Sequence, residues 1–158
     1  MKKVERFAVI HFVVGQQLTL LVGIDSGDMM KVKTFYELEV WQLAMDLAER
    51  VYNFCKTLPQ EERFVLSDQM RRAVTSIAFN IAEGQKRFST KEFIHFLSIA
   101  KGSLGELMTQ LILCNRLGYL EDERLERSLK RCETIDVKLY NLAMMLRRKP
   151  PKNKLPQL

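Results

Sequence analysis

Hydrophobic side chains recur every three or four residues through four successive stretches of the chain. This spacing aligns them on one face of an α-helix, and no stretch of comparable length alternates with the period of a strand. The pattern predicts four helices, over residues 37–57, 62–84, 89–117 and 121–148. Each of them is long enough to carry several turns of a buried seam.

Residues typical of helix ends lie at the predicted boundaries. Pro59 is predicted to end the first helix, and Gly84 and Gly118 the second and third, because proline and glycine interrupt helical backbone. Ser89 and Glu92 have the spacing of a capping box, in which both side chains satisfy free backbone amides at a helix start. The third helix therefore has the most clearly predicted beginning.

Short predicted connections indicate how the helices are arranged. Helices of 20 or more residues joined by loops of about four to eight residues favour antiparallel neighbours. The chain has 158 residues, of which 47% are hydrophobic, enough for one core. The sequence predicts an all-α protein in which residues 30–148 form one up-and-down four-helix bundle.

The first 29 residues do not fit this helical pattern. Hydrophobic stretches at 7–14 and 18–24 are separated by Gly15-Gln16-Gln17, and both are shorter than the roughly 20 residues of a membrane span. They form either a short hairpin or a leader translated from an early start codon. We favour the early start, because Met29-Met30 is followed directly by Lys-Val-Lys and the first helical pattern. A membrane anchor is not expected.

Positive charge is concentrated near the C-terminus. The formal net charge is +6, and residues 147–158 carry five basic and no acidic side chains. Pro150-Pro151 prevents helix there, so residues 149–158 are predicted to be a basic disordered tail.

Few residues of the chain are suited to catalysis or metal binding. Three cysteines lie within apolar helical patterns without Cys-x-x-Cys spacing, which predicts buried free thiols and a reducing, cytoplasmic location. Only two histidines are present, and Glu92 and His95 form a single Glu-x-x-His element, whereas a di-iron bundle requires two such elements and two further glutamates. We expect no enzyme activity, metal, cofactor or small-molecule substrate.

Polar side chains interrupt the apolar seams of the second and third helices. Their spacing of three or four residues places each set on one helical face. We expect these residues to form a buried network that fixes the packing register, with Arg72 or Arg71 pairing Glu106 or Glu83, and Gly102 allowing close helix approach. A catalytic carboxylate pair, a binding site and a subunit contact are the alternatives. The set comprises Arg72, Ser76, Asn80, Glu83, Gly102, Ser103 and Glu106.

Two further groups of side chains indicate partners. Trp41 and Tyr52 belong to a second apolar set on the first helix, wider than one core requires, and we expect them at an interface between copies. A broad core is the alternative. Basic residues around the second and third helices, together with the last helical turn, are candidates for nucleic-acid phosphates. These are Arg71, Lys86, Arg87, Lys91, Arg147 and Arg148.

Three ordered motifs resemble the bacterial four-helix-bundle proteins of 23S ribosomal RNA intervening sequences. The motifs are residues 35–41 (FYELEVW), residues 69–84 (QMRRAVTSIAFNIAEG) followed by Arg87, and residues 96–107 (FLSIAKGSLGEL), and the resemblance extends over residues 34–147. The sequence departs from the family at Ala78, where proline is frequent, and at Gly105, where alanine is frequent. The bundle is also similar in architecture to accessory proteins of diversity-generating retroelements, which assist a reverse transcriptase.

The resemblance implies a homo-oligomer, a ring of five bundles, and an association with RNA instead of catalysis. Our first hypothesis is therefore a non-enzymatic oligomer that binds RNA or a ribonucleoprotein through basic residues. The second is a protein-only scaffold or accessory subunit, for example of a reverse-transcriptase retroelement. An enzyme that uses Arg72, Glu83 and Glu106 is a minor third hypothesis.

Overall fold

A computed structural model describes residues 34–148 of the chain. Within that range the structure is helical and contains no strand, and its four long helices are α1 (Glu39–Cys55), α2 (Leu66–Lys86), α3 (Thr90–Arg116) and α4 (Asp122–Arg148). Single 3-10 turns, Phe35–Glu37 and Gln60–Glu62, precede α1 and α2. The four helices predicted from the periodicity are confirmed. The predictions for residues 1–29 and 149–158 lie outside the described residues.

Each helix packs against its two neighbours around one core. Contacts join α1 to α2, α2 to α3, α3 to α4 and α4 back to α1, with the α1–α4 pair the most sparsely packed. This closed order of antiparallel helices is the up-and-down bundle that the short loops predict. The largest buried side chains come from α2, α3 and α4, and include Met70, Ile77, Ile81, Leu104, Leu107, Ile135 and Leu139.

Two predicted boundaries of the second helix are wrong. The helix begins at Leu66 and not at residue 62, because Val65 has φ −108° and ψ −86°, outside the helical region. The apolar stripe also starts only at Leu66, while Phe64 and Val65 are exposed. At the other end, α2 continues through Gly84 to Lys86, so Gly84 does not stop the helix.

The remaining helix ends follow from local chemistry. The α3 helix ends as predicted at a left-handed glycine, since Gly118 has φ +78° and its amide donates to the Asn115 carbonyl over 2.9 Å. At the start of α3 the Ser89 Oγ accepts from the Glu92 amide over 3.1 Å. The Glu92 carboxylate accepts the Ser89 hydroxyl proton over 2.9 Å. The serine half of the predicted capping box is confirmed.

Candidate functional site: polar, basic and apolar surfaces of the bundle

Three of the predicted polar residues meet where α2 packs on α3. The hydroxyls of Ser76 and Ser103 lie 2.9 Å apart, and the Asn80 amide donates to both the Ser76 Oγ (2.9 Å) and the Ser76 carbonyl (2.7 Å). All three side chains are half-buried. They form a small neutral hydrogen-bonded cluster between two helices, without a charged member.

The charged members of the predicted network lie on the surface instead. Arg72 forms an ion pair with Asp68, Glu83 pairs with Arg87, and Glu106 accepts a hydrogen bond from Gln110 over 3.0 Å. Each partner lies four residues away on the same helix. The prediction that Arg72 or Arg71 pairs with Glu106 or Glu83 across the helices is therefore wrong. Long charged side chains on exposed faces reach a neighbour one turn away more readily than a facing helix.

Close approach of α2 and α3 depends on Gly84 and not on Gly102. A Cβ atom built on Gly84 would lie 2.6 Å from the Phe96 Cβ and 2.8 Å from the Phe93 Cδ2. A Cβ on Gly102 would meet nothing within 4 Å. The predicted packing role of Gly102 is wrong because this residue lies on the exposed side of α3.

The antiparallel fold brings five of the six predicted phosphate-binding residues to one end of the bundle. We call this surface the basic end: Lys86, Arg87, Lys91, Arg147 and Arg148. The end of α2 and the start of α3 flank their short loop, and Arg147 of α4 lines a cleft with α3 residues close to Lys91. All five side chains are exposed.

Two members of the basic end already have partners. Arg87 pairs with Glu83 and lies 4.8 Å over the Phe96 ring, and the Lys86 ammonium lies 5.8 Å over the Phe35 ring. The α3 N-terminus is occupied by Ser89 and Glu92. The free positive charge of the basic end therefore comes mainly from Lys91, Arg147 and Arg148, for which the described chain offers no ion pair.

Arg71 lies apart from the basic end, near the start of α2. Its guanidinium is 5.6 Å over the Tyr52 ring, and its Nε is buried without a hydrogen-bond partner in the described part of the chain. Half-buried between helices, this side chain is poorly placed to reach a phosphate. Its contact with Tyr52 helps to fix the α1–α2 packing.

An apolar surface lies along α1 and α2, as the width of the first helix's stripe indicates. Met45, Tyr52 and Phe79 are exposed there, and Phe79 keeps 66% of its surface accessible. They line a shallow groove of about 520 Å³ with Ala48 and Ala78 at its base. Trp41 is half-buried and packs edge-on against Phe35, with ring centroids 5.3 Å apart. Tyr52 therefore belongs to this α1–α2 face, whereas part of the Trp41 side chain packs against the core of the same bundle.

The three cysteines are buried and free, as the sequence predicts. Burial is the largest cause that raises the pKa of each thiol, to about 11 for Cys114 and for Cys132. Burial also raises the pKa of Cys55, and the nearby Arg71 charge opposes that effect. These thiols are protonated and unreactive at neutral pH.

Neither metal ligands nor a membrane span can be assembled from the described residues. Across residues 34–148, no three histidine, cysteine, aspartate or glutamate side chains are grouped closely enough to hold a metal ion. The same range contains no helix with the length and apolar run needed to cross a membrane.

The sequence reasoning missed a cleft between α1 and α4. Its rim carries four arginines, Arg50, Arg124, Arg127 and Arg131, and we call it the arginine groove. It measures about 350 Å³. The sequence signal is the spacing of three and four residues among the α4 arginines, which places them on one face. Only the tertiary structure shows that this face meets Arg50.

These features define the class of the protein as an antiparallel four-helix bundle with separate polar, basic and apolar surfaces. The sequence profile of the 23S rRNA-intervening sequence proteins matches residues 36–141, which is more than half of the 158 residues. The chain belongs to the 23S rRNA-intervening sequence protein family.

A solved structure supports this assignment. It is the crystal structure of a protein with unknown function from the S23 ribosomal protein family of Bacteroides thetaiotaomicron, and it is 31% identical to this chain with a TM-score of 0.62. The alignment covers 66% of this chain and 95% of that chain. No curated protein matches the sequence.

Proposed function

We propose that this protein is a non-enzymatic, homo-oligomeric bundle that binds RNA or a ribonucleoprotein through phosphate contacts at the basic end. The observation that carries the proposal is topological. Residues 86–91 and 147–148, distant in sequence, come to the same end because α2 and α4 run in the same direction. Lys91, Arg147 and Arg148 have no acidic partner within the described chain, so their side chains are available to bind phosphate groups.

An exposed aromatic ring adds to this surface. Phe88 lies in the loop between α2 and α3 and is fully accessible to solvent. Aromatic rings next to cations are the usual platform for unstacked bases in RNA-binding proteins. The expected ligand is therefore RNA with unpaired nucleotides, bound mainly through its backbone.

Salt-dependent RNA binding tests the proposal. The variant Lys91→Ala/Arg147→Ala/Arg148→Ala should weaken binding and lower the slope of log K against log salt by about 0.7 for each phosphate of single-stranded RNA that it no longer neutralises. The matched control, Lys56→Ala/Arg116→Ala/Lys130→Ala, removes three exposed cations away from the basic end and should bind normally. Equal weakening in both variants would mean that only net charge matters. Absence of wild-type binding at about 50 mM salt would rule out the RNA function.

The proposed oligomer uses the α1–α2 face. Apolar groups exposed together along two helices, around a groove of about 520 Å³, are typical of surfaces that a partner covers. A closed ring of five copies is the assembly that we propose. Light scattering coupled to size exclusion should give the mass of a pentamer for the wild type. Phe79→Ser should dissociate it, whereas Tyr140→Ser, which changes an exposed ring on α4, should not.

The second candidate function is a protein-only scaffold or accessory subunit, for example of a reverse-transcriptase retroelement. The α1–α2 face favours it, because apolar side chains exposed together on two helices are typical of surfaces that a partner protein covers. Crosslinking in cells, followed by sequencing of bound RNA and mass spectrometry of bound protein from one sample, distinguishes the candidates. A stable ring with protein but no RNA would support the scaffold.

The non-enzymatic part of the proposal is supported by the surface positions of the polar side chains. Arg72, Glu83 and Glu106 are each exposed and satisfied by a neighbour on the same helix. Carboxylates used in general acid or base catalysis need a shared, partly desolvated site instead. Turnover of RNA by the purified wild type, abolished in Glu106→Gln, would contradict the proposal.

A further inference from the structure

The arginine groove lies at the opposite end of α4 from the basic end. Arg124, Arg127 and Arg131 occupy the α4 face turned towards α1, where a bundle normally has an apolar seam. Nothing in this part of α4 is fully buried, since its buried residues begin at Cys132. The two helices are accordingly sparsely packed, and the cleft between them stays open.

The floor of the groove is apolar while its rim is cationic. Buried side chains from α1, α3 and the α3–α4 loop form the floor: Leu47, Val51, Phe54, Leu111 and Leu120. On the rim, the Arg124 guanidinium lies 5.0 Å over the Phe54 ring, and Arg127 pairs with Glu123 over 2.6 Å. Within residues 34–148 neither Arg50 nor Arg131 has an ion pair.

Four convergent guanidinium groups with one carboxylate partner favour an anionic ligand. Guanidinium binds phosphate through two parallel hydrogen bonds, and its plane also stacks on aromatic rings. Beside this apolar floor, a ligand that has a flat apolar part as well as an anionic group makes more contacts than an inorganic anion does. A volume of about 350 Å³ lies at the small end of ligand pockets, suited to one nucleotide.

We propose that the arginine groove binds a single nucleotide unit of unpaired RNA, with the base on the apolar floor and its phosphate on Arg50 and Arg131. The inference rests on the proposed RNA function and adds a second binding site. Arg127 and Arg147 are 20 residues apart on α4, so the groove and the basic end are separated by about 30 Å. A short oligonucleotide cannot fill both, whereas a long RNA can.

Titration with tri-uridylate, too short to span both sites, tests the groove by calorimetry. Arg50→Ala/Arg131→Ala should weaken binding by more than about tenfold, because each substitution removes charge-assisted hydrogen bonds. Arg116→Ala/Lys130→Ala, which removes equal charge outside the groove, should bind as the wild type does. The triple variant of the basic end should retain the binding that Arg50→Ala/Arg131→Ala removes. Circular dichroism checks folding, which should be retained because Arg50 and Arg131 are exposed.

Matched probes distinguish the ligand classes. Uridine 5′-monophosphate should compete with tri-uridylate, while inorganic phosphate and poly-glutamate should compete much less. Unchanged affinity in Arg50→Ala/Arg131→Ala would overturn the proposal, and so would equal or stronger competition by phosphate or poly-glutamate. If tri-uridylate binds in the groove but the affinity for a long RNA is the same in the wild type and in the triple variant of the basic end, the proposed RNA site at the basic end fails. The groove assignment then stands.

Discussion

Gly84 lies where α2 packs closely on α3, and its α-carbon faces the side chains of Phe93 and Phe96. The absence of a side chain at this position lets the two helices approach each other without displacing either ring. Gly102 and Gly105 on α3 face open space instead. Identical residues in similar helices therefore have opposite structural roles, and the neighbouring helix determines which.

Alanine substitutions at the two kinds of glycine should have opposite effects. Gly84→Ala places a Cβ 2.6 Å from the Phe96 Cβ, and we expect a decrease of about 1 to 3 kcal/mol in the free energy of unfolding. The Cβ added by Gly102→Ala has no atom within 4 Å, so this substitution should raise the free energy of unfolding by up to about 1 kcal/mol through helix propensity. Urea denaturation monitored by circular dichroism measures both. An unchanged free energy of unfolding in Gly84→Ala would show that α2 and α3 can move apart at this position without destabilising the fold.

The buried thiols make the stability of the fold sensitive to high pH. Burial raises the pKa of Cys132 from 9.0 to about 11, so the folded state keeps this proton at a pH where the unfolded state loses it. The buried, protonated thiol therefore makes its full contribution to the free energy of unfolding below about pH 9, and this contribution is lost as the pH rises towards 11. Cys114 behaves in the same way.

Alkaline titration should expose this contribution. Between pH 8 and about pH 10.5 the wild type should lose about 2 kcal/mol more unfolding free energy than Cys132→Ala, which lacks the titrating group. Urea denaturation of both proteins across this range cancels the titration of lysines and tyrosines, which they share. Parallel pH profiles for the two proteins would contradict the assigned cause.

At the scale of elements, each helix combines a buried face with a locally determined end. The α3 helix has the clearest start, because the Ser89 side chain accepts the Glu92 amide and donates to the Glu92 carboxylate. The α4 helix has the weakest seam, with three fully buried residues in 27. Two partly exposed ion pairs join it to its neighbours: Lys101 of α3 with Asp136, and Lys138 with Glu39 of α1, at 2.7 Å each.

Removal of the serine cap should destabilise α3 measurably. Ser89→Ala leaves the Glu92 amide without its side-chain acceptor, and we expect the unfolding free energy to fall by about 1 kcal/mol. The control Ser98→Ala changes an exposed serine inside the same helix and should be neutral or slightly stabilising. Thermal and urea denaturation compare the two. Equal effects of the two substitutions would show that the Ser89 cap does not stabilise α3.

At the scale of the whole molecule, the two ends of the bundle carry different chemistry. Exposed phenylalanines lie in loops at both, Phe88 beside the basic end and Phe64 beside the start of α2. Neither contributes to the core. Phe88 adjoins the basic end that we propose as the RNA-binding surface, whereas Phe64 lies at the opposite end of the bundle, with the Arg63 guanidinium 5.4 Å over its ring.

Phe88→Ala should weaken RNA binding without changing stability. Removal of one base-stacking platform corresponds to about 1 to 3 kcal/mol of binding free energy. The unfolding free energy should change by less than about 0.5 kcal/mol, because the side chain is fully exposed. Phe64→Ala, at the opposite end, should leave RNA affinity unchanged. Fluorescence anisotropy with labelled single-stranded RNA measures both affinities. If Phe88→Ala binds as tightly as the wild type, Phe88 is not part of the binding surface.

Periodicity predicts the core residues better than the polar ones. Spacing alone assigns Met70, Ile77 and Leu104 to the core, and all three are fully buried, because burial of an apolar stripe does not depend on which helix covers it. The predicted cross-helix pairs of Arg72 and Glu106 are wrong because long charged side chains can satisfy themselves within their own helix. Ser76 and Ser103 do meet, because both lie at the packed interface of α2 and α3, where their hydroxyls are 2.9 Å apart.

The sequence by itself determined the four helices, most of their ends and the identity of the buried seam, because each depends on residues less than two turns apart. Only the tertiary structure decided that Gly84 is the close-packing glycine and that Arg71 is separated from the other basic residues. It also decided that Arg50 faces the α4 arginines. These outcomes depend on how helices distant in sequence are rotated against one another, which no local pattern records.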